Sequence, residues 1–251
     1  MRFRLILLAL LAVFALPAFA QEDPQHTVAF DDFSFRYDTT IAVDVNITYQ
    51  SAEELSDIFP TMAPHIQFLL YSGDSAPAFP AEAPGLIRVF STADFDEAQS
   101  GVLAQLQTLL DERPDLAGYM TADTTLPFLP IFPAGQVMRA RAQYVETDAV
   151  TGISYVTAYM QALEPFTSSS FIYTFQGVSN DGAHYVSAIF RLNTDLFSDE
   201  LPSDFDMAEF SEQYEIYLAE SIAALTDADA DAISPSLDTL DALIASFAFA
   251  E

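Results

Sequence analysis

The feature that most constrains the fold is an alternation of apolar and polar residues that recurs along most of the chain. Apolar residues occupy every second position from Ile41 to Tyr49, and the same alternation runs from Phe33 to Tyr37. Successive side chains of a strand point to opposite faces, so this period predicts strands with one buried and one wet face. Because residues 38–40 alone separate the two runs, the sequence predicts that they pair as neighbouring strands.

Six further segments have the same strand character. Two of them, 171–175 and 186–192, are joined by Ser-Asn-Asp-Gly at 179–182. These residue types tolerate the positive φ of tight turns. The six segments are Ile66–Tyr71, Leu86–Phe90, 137–144, 153–159, 171–175 and 186–192. The sequence therefore predicts an antiparallel sheet in which the last four segments form two hairpins.

Three segments change to the helical period. One runs from Asp94 to Asp111 and ends at Arg113-Pro114. Two more close the chain, at 207–225 and at 237–247, the latter expected to begin behind a Ser234 cap. We therefore predict an α+β fold, an antiparallel β-sheet covered by helices, with two C-terminal helices.

The N-terminus has the pattern of a secretory signal peptide. Arg2 and Arg4 precede an apolar run from Leu5 to Leu16, and small residues lead to a cleavage site near Ala20. We expect a signal peptide over 1–20, a flexible mature N-terminus over 21–32 and a single α+β domain over 33–250. The predicted location is extracytoplasmic, periplasmic or secreted. No later apolar run is long enough for a membrane span after cleavage.

The amino-acid composition limits the kinds of partner that the protein can bind. The chain has 37 acidic residues against 8 basic ones, all arginine, and no cysteine. Loss of Arg2 and Arg4 leaves 6 basic residues, so the formal charge of the mature chain is 6 − 37 = −31. A surface so acidic repels a polyanion, which excludes nucleic acid as a partner. Without cysteine the core must hold the fold with no disulfide, and no lipid can be attached through a thiol.

A search for catalytic groups finds no recognisable set. The chain has three histidines, His26, His65 and His184, and none has the spacing of a metal-ligand motif. No serine lies in a nucleophile-elbow motif, and the glycines form no phosphate-binding loop. Paired carboxylates of a hydrolase could be drawn from any of the 37 acids, so the sequence does not single out a pair.

One acidic constellation has the spacing of a calcium-binding loop. Asp227, Asp229, Asp231 and Asp238 stand at positions 1, 3, 5 and 12 of a segment between the two C-terminal helices. Position 6 is Ala232, where an EF-hand has glycine, and position 12 is an aspartate in place of a bidentate glutamate. Two interpretations stay open: a Ca²⁺ site formed by the four aspartates, or an acidic, solvated linker.

Several blocks resemble a family of exported bacterial proteins to which no function is assigned. The resemblance extends from about Phe33 to Phe247. It implies an extracytoplasmic domain and supplies no catalytic residue. Some members look like lipoproteins, whereas this chain lacks the lipid-bearing cysteine. The blocks are Leu126–Pro130, Ala134–Val137, Gly152-Ile153 with Tyr159, Tyr173–Gly177, Asp181-Gly182 and Tyr185–Ala188.

Three functions follow as hypotheses. A noncatalytic binding or accessory protein without a cofactor is favoured, and its partner would be an extracellular small molecule, a glycan or a protein. The alternatives are an extracytoplasmic hydrolase using paired carboxylates and a calcium-stabilised structural protein. A further hypothesis is that Phe79, Phe128 and Phe132, from two proline-rich loops, line an opening.

Overall fold

The computed structural model describes residues 25–53, 62–120, 125–203 and 205–250. The predicted signal peptide and residues 21–24 lie outside these ranges. Within them the fold is mixed α+β, with twelve strands, all paired antiparallel, and four α-helices.

The strands fall into three sheets. Seven of them form the main sheet in the order β3-β4-β5-β9-β8-β7-β6, and β1-β2-β12 and β10-β11 form two small sheets. Their bounds are β1 Gln25–Phe30, β2 Phe33–Asp38, β3 Asp44–Gln50, β4 His65–Tyr71, β5 Gly85–Ser91, β6 Gly135–Glu146, β7 Val150–Met160, β8 Ile172–Ser179, β9 His184–Arg191, β10 Asn193–Thr194, β11 Ile233–Ser234 and β12 Ala248–Phe249.

Both predicted hairpins are present, as β6–β7 and β8–β9. The second turns through residues 179–182, where Gly182 has φ 74° and the Gly182 N–H donates to Ser179 O. Only this region of φ favours glycine, which explains its place in the turn. A β-bulge interrupts the first hairpin between Ala140 and Gln143, and Arg141 within it has φ 53°.

The expected pairing of the first two alternating runs is wrong. β2 pairs with β1 and β12, whereas β3 pairs with β4 in the main sheet. The segment expected to be a flexible N-terminus, 21–32, contains the strand β1, which pairs with β2 along all six residues. Alternation specifies which face of a strand is buried, but it does not specify the partner strand.

Four helices accompany the sheets, and their ends follow from capping. They are α1 Glu97–Glu112, α2 Ala117–Met120, α3 Met207–Asp227 and α4 Leu237–Ala245. Asp96 and Gln99 form a capping box at the start of α1, which ends at Arg113 in the left-handed conformation. Asp206 caps α3 through the N–H groups of Ala208 and Glu209. The predicted Ser234 cap of α4 is wrong, because Ser234 lies in β11 and Ser236 occupies the cap position.

The main sheet is buried on both faces. On one face its side chains share a core with β2, α3 and α4, where Phe35, Phe68 and Phe247 meet. On the other face Phe90, Tyr155 and Tyr185 share a core with α1 and with residues 126–129. We call this second side face 2. In the described part of the chain, no helix combines the length and the apolar character required to cross a bilayer.

Candidate functional site

A row of polar side chains crosses face 2 from the edge of the sheet to its centre. Residues in direct register point to the same face, and five neighbouring strands place a polar residue on one line. The line is buried at four of its five positions. We call it the polar row. It consists of Thr48 on β3, Gln67 on β4, Arg88 on β5, Ser187 on β9 and Gln176 on β8.

Arg88 is a buried cation whose Nε–H has no hydrogen-bond acceptor among the described residues. The residue as a whole is 8% exposed. No carboxylate of the described residues lies within ion-pair distance of Arg88. Burial lowers the pKa of Arg88 to about 10, so the guanidinium is still charged at neutral pH. Burying an unpaired charge costs several kcal/mol.

Arg139 shows what a satisfied arginine looks like in the same sheet. It is as buried as Arg88, at 5% exposure. Its Nε donates to the carbonyl oxygen of Tyr119 at 2.9 Å and its Nη1 to that of Gln136 at 2.9 Å. The described residues therefore supply an acceptor to the Nε–H of Arg139 and none to the Nε–H of Arg88.

His65 lies diagonally across from Arg88. His65 pairs with Phe90 and Arg88 pairs with Gln67, which places the two side chains on the same face of adjacent strands. The Nδ1 atom of His65 lies 2.9 Å from the carbonyl oxygen of Ala63, whereas its buried Nε2 has no hydrogen-bond partner in the part of the chain that the structure describes. Burial, and secondarily the charge of Arg88, lower the pKa of His65 to about 4. The imidazole is therefore neutral at physiological pH.

The inner end of the polar row is covered by the chain segment before Pro130. Gln176 Oε1 accepts the N–H of Leu129 at 3.0 Å, and the hydroxyl of Ser187 donates to the carbonyl oxygen of Leu129. Gln176 also donates to the hydroxyl of Ser187 at 3.1 Å and accepts from that of Tyr185 at 2.7 Å. This end of the row is thus fully bonded, and the unpaired donor begins one strand further out, at Arg88.

The four aspartates predicted to bind calcium lie in different local environments. Asp227 ends α3, Asp229 precedes a short 3₁₀ turn that contains Asp231, and Asp238 lies in the first turn of α4. Asp231 lines a groove beside β10, whereas Asp238 lines a different groove beside Arg36. Over the ranges that the structure covers, no three His, Asp or Glu side chains are grouped to hold a metal ion. Nothing in this geometry adds support to the calcium hypothesis.

The three phenylalanines proposed to line an opening do not act together. Phe128 and Phe132 form a cluster with Tyr159, with ring centroids 4.9–5.0 Å apart. Phe128 belongs to the core of face 2, while Phe79 is 67% exposed and makes no ring contact within the described part of the chain. The Phe128 and Phe132 side chains therefore close the end of the sheet.

Described residues line four surface grooves. The most apolar is about 530 Å³ and lies at the β6 edge beside Tyr144, where Arg113 stacks on the Tyr144 ring and Arg141 donates to the carbonyl oxygens of Leu225 and Ala228. The other three are about 410, 560 and 280 Å³. Neither Arg88 nor His65 lines any of them.

A scan against protein-family models finds no match for this chain, and searches of curated proteins and of solved structures find none. The resemblance to exported bacterial proteins is therefore still an expectation, and the function is argued from the site.

Arg88 is one of the six basic residues of the mature chain, and the sequence analysis predicts no functional role for it. The available signal was its place within Leu86-Ile87-Arg88-Val89-Phe90, where a single charge interrupts an apolar strand. A charge in that position is expected to be paired when buried. Only the structure reveals that the Arg88 Nε–H has no acceptor among the residues it describes.

Proposed function

We propose that the protein is a noncatalytic extracytoplasmic binding or accessory domain whose ligand places a small anionic group against Arg88. The observation that carries this proposal is the buried Nε–H of Arg88, which finds no acceptor among the described residues. The unbound protein already bears the free-energy cost of burying the charge. An anion that accepts this hydrogen bond offsets that cost, and the difference favours binding.

The charge of the chain favours specific over loose anion binding. The sequence carries 37 acidic against 8 basic residues. Such a surface repels anions in general, so an anion is retained only where a cation is held in a low-dielectric position. Arg88 is in such a position, because burial is the cause of its lowered pKa.

The proposal includes export and a finer arrangement of the fold. Export is supported by the signal-peptide pattern of residues 1–20. The expected covering of the antiparallel sheet by the two C-terminal helices is supported by the core that sheet residues share with Ile222 and Leu225 of α3 and with Leu240 and Ile244 of α4.

The test is a series of thermal melts of the purified protein in sodium formate, acetate, phosphate and sulfate, each compared with sodium chloride at equal ionic strength. We expect at least one of the small anions to raise the melting temperature saturably above its value in chloride. The same anion should have no such effect on Arg88→Met, which keeps the length of the side chain and removes the charge.

Arg191→Met is the matched control, because Arg191 is exposed on β9 and its Nη1 donates to the carbonyl oxygen of Ala81 at 3.1 Å. This variant should respond to the anion as the wild type does. If every anion acts on wild type and Arg88→Met alike, the effect is general screening and the proposal is wrong.

A further inference from the structure

We call Arg88 and His65, which lie diagonally across β5 and β4, the Arg88–His65 pair. Arg88 Nε and His65 Nε2, which have no partner among the described residues, differ in hydrogen-bonding character. The carbonyl oxygen of Ala63 can only accept, so the Nδ1–H of His65 donates to it. In the neutral ring, Nε2 then carries a lone pair and is an acceptor. The Nε–H of Arg88 is a donor. The pair therefore presents one buried donor and one buried acceptor, on adjacent strands and the same face.

A carboxylate complements only one of these atoms. Its oxygens accept the Arg88 Nε–H, but they would face the lone pair of His65 Nε2 without a hydrogen bond between them. A proton on Nε2 removes this conflict, because the imidazolium then donates to the carboxylate. A charge-assisted hydrogen bond of this kind is stronger than one between neutral groups.

We infer that the Arg88–His65 pair binds a carboxylate together with one proton. One carboxylate oxygen accepts the Nε–H of Arg88, and the other accepts a hydrogen bond from His65 after its Nε2 has taken a proton from solvent. The new N–H bond on Nε2 forms with a proton released by a solvent or buffer acid, and no bond of the carboxylate is made or broken. The complex gains one negative charge from the ligand and one positive charge from the proton. The inference rests on the proposed function and assigns its ligand class, a carboxylic acid bound as its anion.

The charged and titratable groups around His65 favour this coupling. Arg88 on β5 is the charged residue whose field lowers the pKa of His65. On β3 the residue in register is Gln50, which is uncharged, and beyond Phe90 the next strand contributes Tyr185, whose pKa is raised well above its usual value by burial. Burial is the larger cause of the lowered pKa of His65, and a carboxylate that accepts a hydrogen bond from the imidazolium opposes that cause. The same carboxylate neutralises Arg88, whose charge is the lesser cause.

The experiment is titration calorimetry of the purified protein with sodium acetate at pH 6.5, in two buffers of different ionisation enthalpy. We expect the wild type to take up close to one proton per acetate bound. From pH 5.5 to 7.5 its affinity should fall about tenfold per pH unit while the complex stays protonated. His65→Gln, whose amide cannot titrate, should bind acetate with no proton uptake, and the control His184→Gln should behave as the wild type does.

The outcomes separate this inference from the proposed function. Acetate binding that depends on Arg88 but takes up no proton would overturn the carboxylate-and-proton inference and leave the anion site intact. Absence of Arg88-dependent binding would overturn the proposed function. If His65→Gln does not fold, the NMR titration of the His65 ring in the wild type decides. Its pKa should rise from about 4 in chloride to above 7.5 in saturating acetate, and an unchanged pKa would overturn the inference.

Discussion

Gln176 binds Leu129 through both polar groups of the leucine backbone. Its Oε1 accepts the Leu129 N–H at 3.0 Å, and its Nε2 donates to the Leu129 carbonyl oxygen at 3.3 Å. Gln136 makes the same two bonds to Leu126, at 2.8 and 3.4 Å. Two side-chain amides therefore make the hydrogen bonds that a neighbouring strand would make, and they pair the backbone groups of Leu126 and Leu129 in an irregular segment buried on face 2.

The first prediction follows from this pairing. Gln176→Leu keeps the volume but leaves the Leu129 N–H and the Tyr185 hydroxyl with lost partners. We expect the free energy of unfolding, measured by urea denaturation, to fall by about 2–4 kcal/mol. Gln161→Leu is the control, because Gln161 is exposed and its bond to Pro133 lies at the surface; it should change stability by less than about 0.5 kcal/mol. Equal losses in the two variants would contradict this account.

The second prediction compares the two buried arginines in the absence of added anions. Arg139→Met removes donors from the carbonyl oxygens of Tyr119 and Gln136, and should lower the free energy of unfolding by about 1–3 kcal/mol. Arg88→Met removes a buried charge with no acceptor for its Nε–H, and should leave stability unchanged or raise it by up to about 2 kcal/mol. Urea denaturation in chloride measures both. A loss for Arg88→Met as large as that for Arg139→Met would mean that Arg88 has a partner within the fold.

The third prediction concerns pH. His65 has a pKa of about 4 in the folded protein and about 6.5 when unfolded. Between these values the unfolded chain binds a proton that the folded chain does not, so stability falls as pH falls from 6.5 toward 4. The slope is about 1.4 kcal/mol per pH unit, and above pH 6.5 this residue contributes none.

The difference in unfolding free energy between wild type and His65→Gln, measured from pH 4.5 to 8 in chloride, isolates this contribution from that of the carboxylates. This difference should be constant above pH 6.5. Below pH 6.5 the wild type should lose stability relative to His65→Gln as the pH falls. Two curves that stay parallel over the whole range would show that His65 titrates normally in the folded state.

The fourth prediction concerns calcium. Because the structure does not gather Asp227, Asp229, Asp231 and Asp238 into one group, we expect calcium to stabilise the protein no more than magnesium does at equal ionic strength. Monovalent salt should also raise the melting temperature, since it screens a chain with 37 acidic and 8 basic residues.

Thermal melts with calcium, magnesium or chelator, at low and high sodium chloride, provide the measurement. Asp229→Ala should melt as the wild type does under each condition. A rise specific to calcium that this variant abolishes would establish a site and would restore the calcium-stabilised alternative.

The sequence predicted the positions of the strands and helices better than the contacts that these elements make with one another. The β4 and β5 strands, the two hairpins and the helices α1 and α3 lie close to where their periods placed them. The partner of β2 was missed, because three buried aromatic positions specify a face and say nothing about a second sheet. The cap of α4 was missed because Ser234 pairs with Asn193 in a short strand, a contact between residues distant in sequence.

The candidate site was the part least accessible to sequence reasoning. The interruption of an apolar strand by Arg88 was visible, but the absence of a partner depends on which side chains four other strands place beside it. The aspartates at 227–238 had a spacing that suggested a ligand set, and spacing alone does not turn carboxylates toward one point.

The most direct test of the anion site is the NMR signal of the Arg88 Nε–H. The chain has eight arginines and no lysine, so the arginine Nε–H region of a ¹⁵N-labelled sample is sparse, and Arg88→Met identifies the signal by its loss. Titration with sodium acetate against equal sodium chloride should move the Arg88 signal saturably downfield and leave those of Arg139 and Arg191 in place. An Arg88 signal that does not move, or that moves only in step with the other arginines, would contradict the anion-binding role of Arg88.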